Sequence, residues 1–293
     1  MNYKSRKHDR SVYYFCCVKP ITRFVDLFLF TSLFTACCAT GLCMATERFV
    51  TGLVPGIASY FHLLVFGSTL LVYNTPRIIS KPITKPARVQ QYRRWHFFFF
   101  IAGALLTGIG LSHMPWQMMV VSSALGVFAF AYFLPVLPFK NKKRLRDFGW
   151  LKITVLASVW TTATSVLPIL YLQKNIGDYP FEILLRFVFI FTLCIVFDIR
   201  DMRKDLQNNI HTLPHTVGVA NSYHLINFTL TLFALLSIVQ YIRYPHPGKL
   251  VGAMLTALIT WLVVRYLRRR PSDRAYLGMA DGVMLVYALL VLY

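Results

Sequence analysis

The sequence predicts an all-α bundle of helices that crosses a lipid bilayer nine times. Three observations carry the prediction. Hydrophobic residues make up 56% of the 293 and charged residues only 14%, where an ordinary soluble domain is about 25% charged. The apolar residues gather into runs long enough for a hydrocarbon core about 30 Å thick, which takes roughly 20 helical residues. The basic residues fall between those runs, in alternation.

The runs cover residues 24–46, 53–73, 97–113, 116–137, 150–172, 181–197, 223–241, 250–267 and 276–293. The third is short, and the sixth carries Glu182 and Arg186, which makes these two the weakest of the set. Lipid offers backbone N–H and C=O groups no partner, so each run is expected to be a helix. Residues 1–23 read as a basic tail, and no soluble domain or low-complexity linker interrupts the rest. A single membrane domain over residues 1–293 is expected.

A net charge of +20 would suit nucleic acid if the bases formed one surface. They do not. With loops alternating between two sides, 26 of the 31 Lys and Arg residues share the side of the N-terminal tail. Only Arg48, Lys174, Arg186, Arg243 and Lys249 fall on the other. The positive-inside rule then puts the N-terminus in the cytoplasm and the C-terminus outside. The expected setting is the bacterial inner membrane, with membrane lipids as neighbours and no nucleic acid. A cleavable signal peptide is not expected, because the first apolar run is long and no small-residue cleavage site follows it. Cys16, Cys17, Cys37, Cys38, Cys43 and Cys194 lack the spacing of a zinc or redox site and read as small packing residues.

Ionisable residues in or beside a membrane span need a reason. The densest group is Asp198, Asp201 and Asp205, at the end of the sixth run. Offsets of three and seven put all three on one helical face. Carboxylates so placed repel one another unless something positive sits between them. Mg²⁺ is the natural partner, since it favours carboxylate oxygens shared with substrate phosphates. Ordinary ion pairs at a solvated helix end are the plainer alternative. Asp26, His62 and Asp281 lie inside other runs, where each would pair within the bundle or line a cavity.

The stretch from Asp198 to Gly218, DIRDMRKDLQNNIHTLPHTVG, resembles the second aspartate-rich motif of the UbiA superfamily of intramembrane prenyltransferases. That motif runs D-x-x-D-x-x-x-D, followed by a short turn and a T-L-P-like segment ending near a Gly. Nine helices with an inside N-terminus also match. The resemblance implies a UbiA-like bundle in which Asp198, Asp201 and Asp205 are the catalytic, metal-binding residues, holding Mg²⁺ against a prenyl diphosphate. It implies transfer of the isoprenyl chain to a lipophilic or aromatic acceptor.

The family's first motif, N-D-x-x-D-x-x-x-D, is where the sequence departs. In its place stands Tyr73-Asn74-Thr75-Pro76-Arg77-Ile78-Ile79-Ser80-Lys81-Pro82. Asn74 matches, while Thr75, Ile78 and Pro82 hold the aspartate positions. Asn74 with the bases Arg77, Lys81 and Lys85 would then meet the diphosphate directly, on the side opposite the metal. Family members often carry a Lys-Arg pair after the fourth helix, which points to Lys143 and Arg144 as further diphosphate ligands.

Ionising an allylic diphosphate builds negative charge on the leaving group and positive charge on the hydrocarbon. Cations stabilise the former, and a dry cavity protects the latter from water. The 24 Phe and 16 Tyr would suit a greasy tunnel and stabilise a carbocation with their ring faces. What captures the cation is not written in the residues. A terpene cyclase, in which the substrate's own double bond attacks, and a non-catalytic binder of isoprenoid or lipid diphosphates are the alternatives to a prenyltransferase.

Overall fold

The computed structural model of the chain describes residues 20–56, 59–79, 92–134, 147–149, 151–207 and 210–293. Every regular element among them is helical. In chain order these are α1 (Pro20–Phe30), α2 (Leu33–Thr51), α3 (Tyr60–Ile79), α4 (Arg93–Ser112), α5 (Trp116–Phe133) and α6 (Leu151–Tyr171). Then come α7 (Pro180–Gln207), the short α8 (Leu213–Val217), α9 (Val219–Arg243), α10 (Pro247–Arg269) and α11 (Asp273–Leu292). Eight of the described helices are long and apolar enough to cross a membrane. The ninth of spanning length is α3, whose 20 residues include His62, Asn74 and Arg77 and so are less apolar. The expected multi-span bundle is the observed one.

Two boundaries differ from expectation. Residues 24–46 do not form one helix: Ser32 takes a left-handed conformation at φ 65° and separates α1 from α2. The break frees the Thr31 carbonyl, and Asn74 Nδ2 donates to it at 3.0 Å, so the orphan is satisfied inside the bundle. The second span begins later than residue 53 and runs past Tyr73 to Ile79, with Pro76 inside it. Asn74, Thr75 and Arg77 are therefore helical residues, where a loop was expected.

Proline shapes α6 as well. Pro168 has no N–H to offer the carbonyl four residues back, and a π turn at Thr162–Val166 absorbs the irregularity. Thr46 Oγ1 of α2 donates to the Thr164 carbonyl at 2.8 Å, filling the vacancy from a neighbouring helix. A second π turn, Tyr276–Ala280, lies in α11 immediately before Asp281. Such turns often sit at functional sites.

Close packing fixes the bundle, since lipid gives helices no hydrophobic reason to associate. A Cβ at Gly67 of α3 would lie 2.7 Å from Leu106 Cβ and Thr107 N, and one at Gly110 of α4 would lie 2.6 Å from Leu64 N. The two helices meet backbone to backbone. The most enclosed helix is α7, whose Leu185, Phe189 and Ile195 are almost fully buried beside Phe233 of α9 and Tyr287 of α11.

Polar pairs gather at the two ends. At one, Arg274 donates to both oxygens of Asp26 at 2.7 Å. At the other, His62 Nε2 stands 3.0 Å from Glu47 Oε1. There too Glu182 accepts from Arg186 Nη2 at 3.0 Å and from Lys249. Asp26 and His62 thus pair within the bundle. Glu182 and Arg186, which weakened the sixth run, pair with each other one helical turn apart.

Candidate functional site

At the end where α7 finishes and α6 and α11 begin, a polar cavity of about 220 Å³ opens. Its walls come from α2, α3, α5, α6, α7 and α11. Asp198, Asp201 and Asp205 line it from α7, as their shared helical face requires. They do not act as one group. Lys152, in the first turn of α6, places Nζ 2.6 Å from Asp198 Oδ1 and 2.7 Å from Asp205 Oδ2. Asp201 turns instead to Arg200, which grips both its oxygens at 2.9 Å. The Arg200 guanidinium in turn lies 4.8 Å from the centre of the Phe197 ring and 5.6 Å from that of Tyr276.

Asp201 lines the cavity but is held by Arg200, and no three His, Cys, Asp or Glu side chains converge into a ready metal site among the described residues. The donor chemistry nonetheless fits one divalent ion at Asp198 and Asp205. Their oxygens already converge on a cationic atom, and Asp198 Oδ2 is buried with no hydrogen-bond partner. Hard carboxylate oxygens of this kind are what Mg²⁺ takes.

The wall opposite the triad carries the departures from the family motif. Arg77 lines the cavity from the last turn of α3. Asn74 does not. It is fully buried, donating to the Thr31 and Leu70 carbonyls and pairing its Oδ1 with His96 Nδ1 at 2.8 Å. Its amide is engaged at the helix break, and Asn74 does not line this cavity, where the sequence leads one to expect a diphosphate ligand. Thr75 is likewise turned inward, its hydroxyl donating to the Leu71 carbonyl at 2.7 Å. Lys81, Lys85, Lys143 and Arg144 lie outside the described residues. Asp281 enters from α11, accepting from Thr35 Oγ1 at 3.1 Å. The cavity therefore holds a fourth carboxylate, which no motif contains.

A second cavity, about 340 Å³ and almost wholly apolar, lies against α2 to α6. Leu64, Val72, Phe130 and Leu167 are among its walls. Tyr73 borders both cavities. A charged head group and a hydrocarbon tail joined end to end would each meet suitable surroundings across that residue.

The sequence points to Asp198, Asp201, Asp205 and Arg77, and to Asp281 as a residue that would pair within the bundle or line a cavity, but it does not single out Lys152 or Arg200. The available signal was positional: Lys152 opens a span just beyond a basic loop, so it faces the same membrane boundary as the triad.

A multi-pass helical bundle with an acid- and base-lined cavity joined to an apolar one has the build of an intramembrane prenyltransferase. Residues 81–280 match the UbiA prenyltransferase family, and the chain belongs to it. Solved structures share the fold. A UbiA homologue from Archaeoglobus fulgidus bound to Cd²⁺ is 12% identical, with a TM-score of 0.62 over 91% of this chain and 99% of that one. The same homologue bound to GPP and Mg²⁺ gives a TM-score of 0.60 at 12% identity and the same coverage. A digeranylgeranylglyceryl phosphate synthase gives 0.57 at 14% identity, over 92% of this chain and 98% of that one. No curated protein matches the sequence.

Proposed function

We propose that this chain transfers an isoprenyl group from an allylic prenyl diphosphate to a lipophilic acceptor inside the membrane. The observation that carries the reading is the junction at Tyr73, where a cavity with Arg77, Lys152 and Arg200 in its walls meets an apolar one. Membership of the UbiA prenyltransferase family supports it, as does a fold shared with a homologue bound to GPP and Mg²⁺.

The diphosphate would lie in the polar cavity and the hydrocarbon in the apolar one. Arg77 and Arg200 supply delocalised positive charge and fork-shaped donors for phosphate oxygens. Asp201 holds the Arg200 fork in place. A divalent ion held by Asp198 and Asp205 would neutralise charge on the departing diphosphate. As the allylic C–O bond breaks, Tyr73, which borders both cavities, would lie beside the hydrocarbon end, and a ring of this kind stabilises a nearby cation. The apolar walls keep water from the cation until the acceptor forms the new bond and releases its proton.

Purified protein incubated with C10, C15 and C20 prenyl diphosphates, with and without a lipid-acceptor extract, tests the reading by mass spectrometry. A prenylated acceptor and free diphosphate are expected. A cyclised hydrocarbon formed without extract would replace transfer with intramolecular capture, and intact diphosphate in every tube would overturn both.

The chain is further proposed to be a single domain with its N-terminus in the cytoplasm and its C-terminus outside, in a bacterial inner membrane. The uneven division of bases supports this orientation. Reporter fusions after Arg88 and Asn175 should read cytoplasmic and external, and a cytoplasmic C-terminal fusion would sink it.

A further inference from the structure

Lys152 is placed to do more than neutralise a loop. Asp198 and Asp205 are 1% and 5% exposed, so both need compensation when the cavity holds no ligand. Lys152 Nζ meets both at once, at 2.6 and 2.7 Å. A Mg²⁺ ion would need the same oxygens at about 2.0–2.1 Å. An ammonium and a divalent cation cannot share them, because like charges so close repel strongly in a poorly solvated site. One carboxylate oxygen of the pair, Asp198 Oδ2, is buried and unpartnered, which gives an arriving ion a first foothold beside the occupied oxygens.

We infer that Lys152 is a resident counter-cation that competes with a divalent ion for Asp198 and Asp205, and that it swings to the diphosphate once the ion displaces it. The inference rests on the reading that this cavity handles a diphosphate together with a divalent ion. A lysine suits the task because its ammonium is a compact charge on a flexible four-carbon stem, free to change partners without moving α6. The empty site stays neutralised, and the diphosphate gains a cation when it arrives. Arg77 and Arg200 line the same cavity, but Arg200 is committed to Asp201 by two bonds.

The test uses the full chain in detergent micelles and Mn²⁺ as the probe, read by electron paramagnetic resonance with no diphosphate present. Lys152→Gln should bind Mn²⁺ at least about tenfold more tightly than the wild type, since a like charge has been removed from the site. Lys152→Arg should stay as weak as the wild type, and adding Asp198→Asn to Lys152→Gln should abolish the gain. A Gln variant that binds no more tightly than the wild type would overturn the competition.

Small-reagent acylation of wild-type lysines, mapped by mass spectrometry, gives a second readout that needs no variant to fold. Saturating Mn²⁺ should raise labelling of Lys152, and adding inorganic pyrophosphate should lower it again. Labelling indifferent to bound Mn²⁺ would overturn the displacement. Neither readout involves turnover. A failed prenyl-transfer assay with the predicted Mn²⁺ behaviour would count against the proposed reaction alone, and the reverse pattern against Lys152 alone.

Discussion

The Trp160 indole Nε1 donates to the Tyr73 hydroxyl at 2.8 Å, and the bond stands where the polar and apolar cavities share a wall. It links α6 to α3, and the Tyr73 and Trp160 rings also meet nearly edge-on, at 76° with centroids 6.3 Å apart. Tyr73→Phe keeps the ring and strands a buried indole N–H. A loss of about 1–3 kcal/mol in stability is expected for an unsatisfied donor. A thermal melt in detergent measures it, and a double-mutant cycle with Trp160→Phe should show coupling between the two positions. Additive losses would mean that the bond does not join the helices.

The three aspartates should differ in what their loss costs. Asp198 offers one oxygen to Lys152 and another that is buried and unpartnered, whereas Asp201 is taken up by Arg200. Asp198→Asn should therefore lower turnover of prenyl diphosphate by about 10²–10³-fold, the scale of removing one preorganised electrostatic group. Asp201→Asn should cost less, because it frees a guanidinium that remains in the cavity. Initial rates at saturating diphosphate give the order. If Asp201→Asn is the more damaging, Asp201 is the principal metal ligand and the observed split of the triad is not the working one.

How far the sequence could be read follows from what each feature depends on. Span-length apolar runs are a local property, and they mark out the multi-span helical bundle. The shared face of Asp198, Asp201 and Asp205 follows from helical period alone. The break at Ser32 could not be read that way, because it is made affordable by Asn74, 42 positions along the chain. The same long-range bond explains why Asn74, a matching motif residue, is buried away from the cavity wall. Lys152 is ordinary by local context, whereas Asp281 stands out as an ionisable residue inside an apolar run whose partner the sequence does not name. They become cavity residues only because α6 and α11 start where α7 ends.

A buried charge network at the far end of the bundle supports the fold without touching the cavity. Arg186, 2% exposed, donates Nη2 to Glu182 Oε1 and to Thr46 Oγ1, each at 3.0 Å. Glu182 Oε2 takes Lys249 and, at 3.3 Å, Gln240 Nε2. The network ties α2, α7, α9 and α10 together. Arg186→Met keeps the bulk and removes one charge, leaving Glu182 short of a partner. Breaking a buried pair from one side costs about 3–5 kcal/mol. A lower midpoint of thermal unfolding with unchanged pyrophosphate binding is expected. A melt like that of the wild type would show that Lys249 alone satisfies Glu182.

Arg77 stands between Thr75 and Ile78, which hold aspartate positions of the family's first motif, and it lines the same cavity as the triad. A guanidinium in that wall would repel a second metal ion and attract a phosphate oxygen, which it can bind through two parallel hydrogen bonds. The diphosphate would then be held asymmetrically, with a divalent ion on the α7 side and Arg77 on the α3 side. Hydrogen bonds to charged groups contribute about 1.5–3 kcal/mol, so Arg77→Ala should weaken binding of geranyl diphosphate roughly tenfold to a hundredfold. Arg77→Lys should recover part of the loss, because it restores the charge without the fork. Isothermal titration with a non-hydrolysable thio analogue separates this effect from turnover. Full recovery by lysine would reduce the role of Arg77 to charge alone. An alanine variant that binds as tightly as the wild type would remove α3 from the diphosphate site, leaving Lys152 and Arg200 as the cations in the described walls that could hold it.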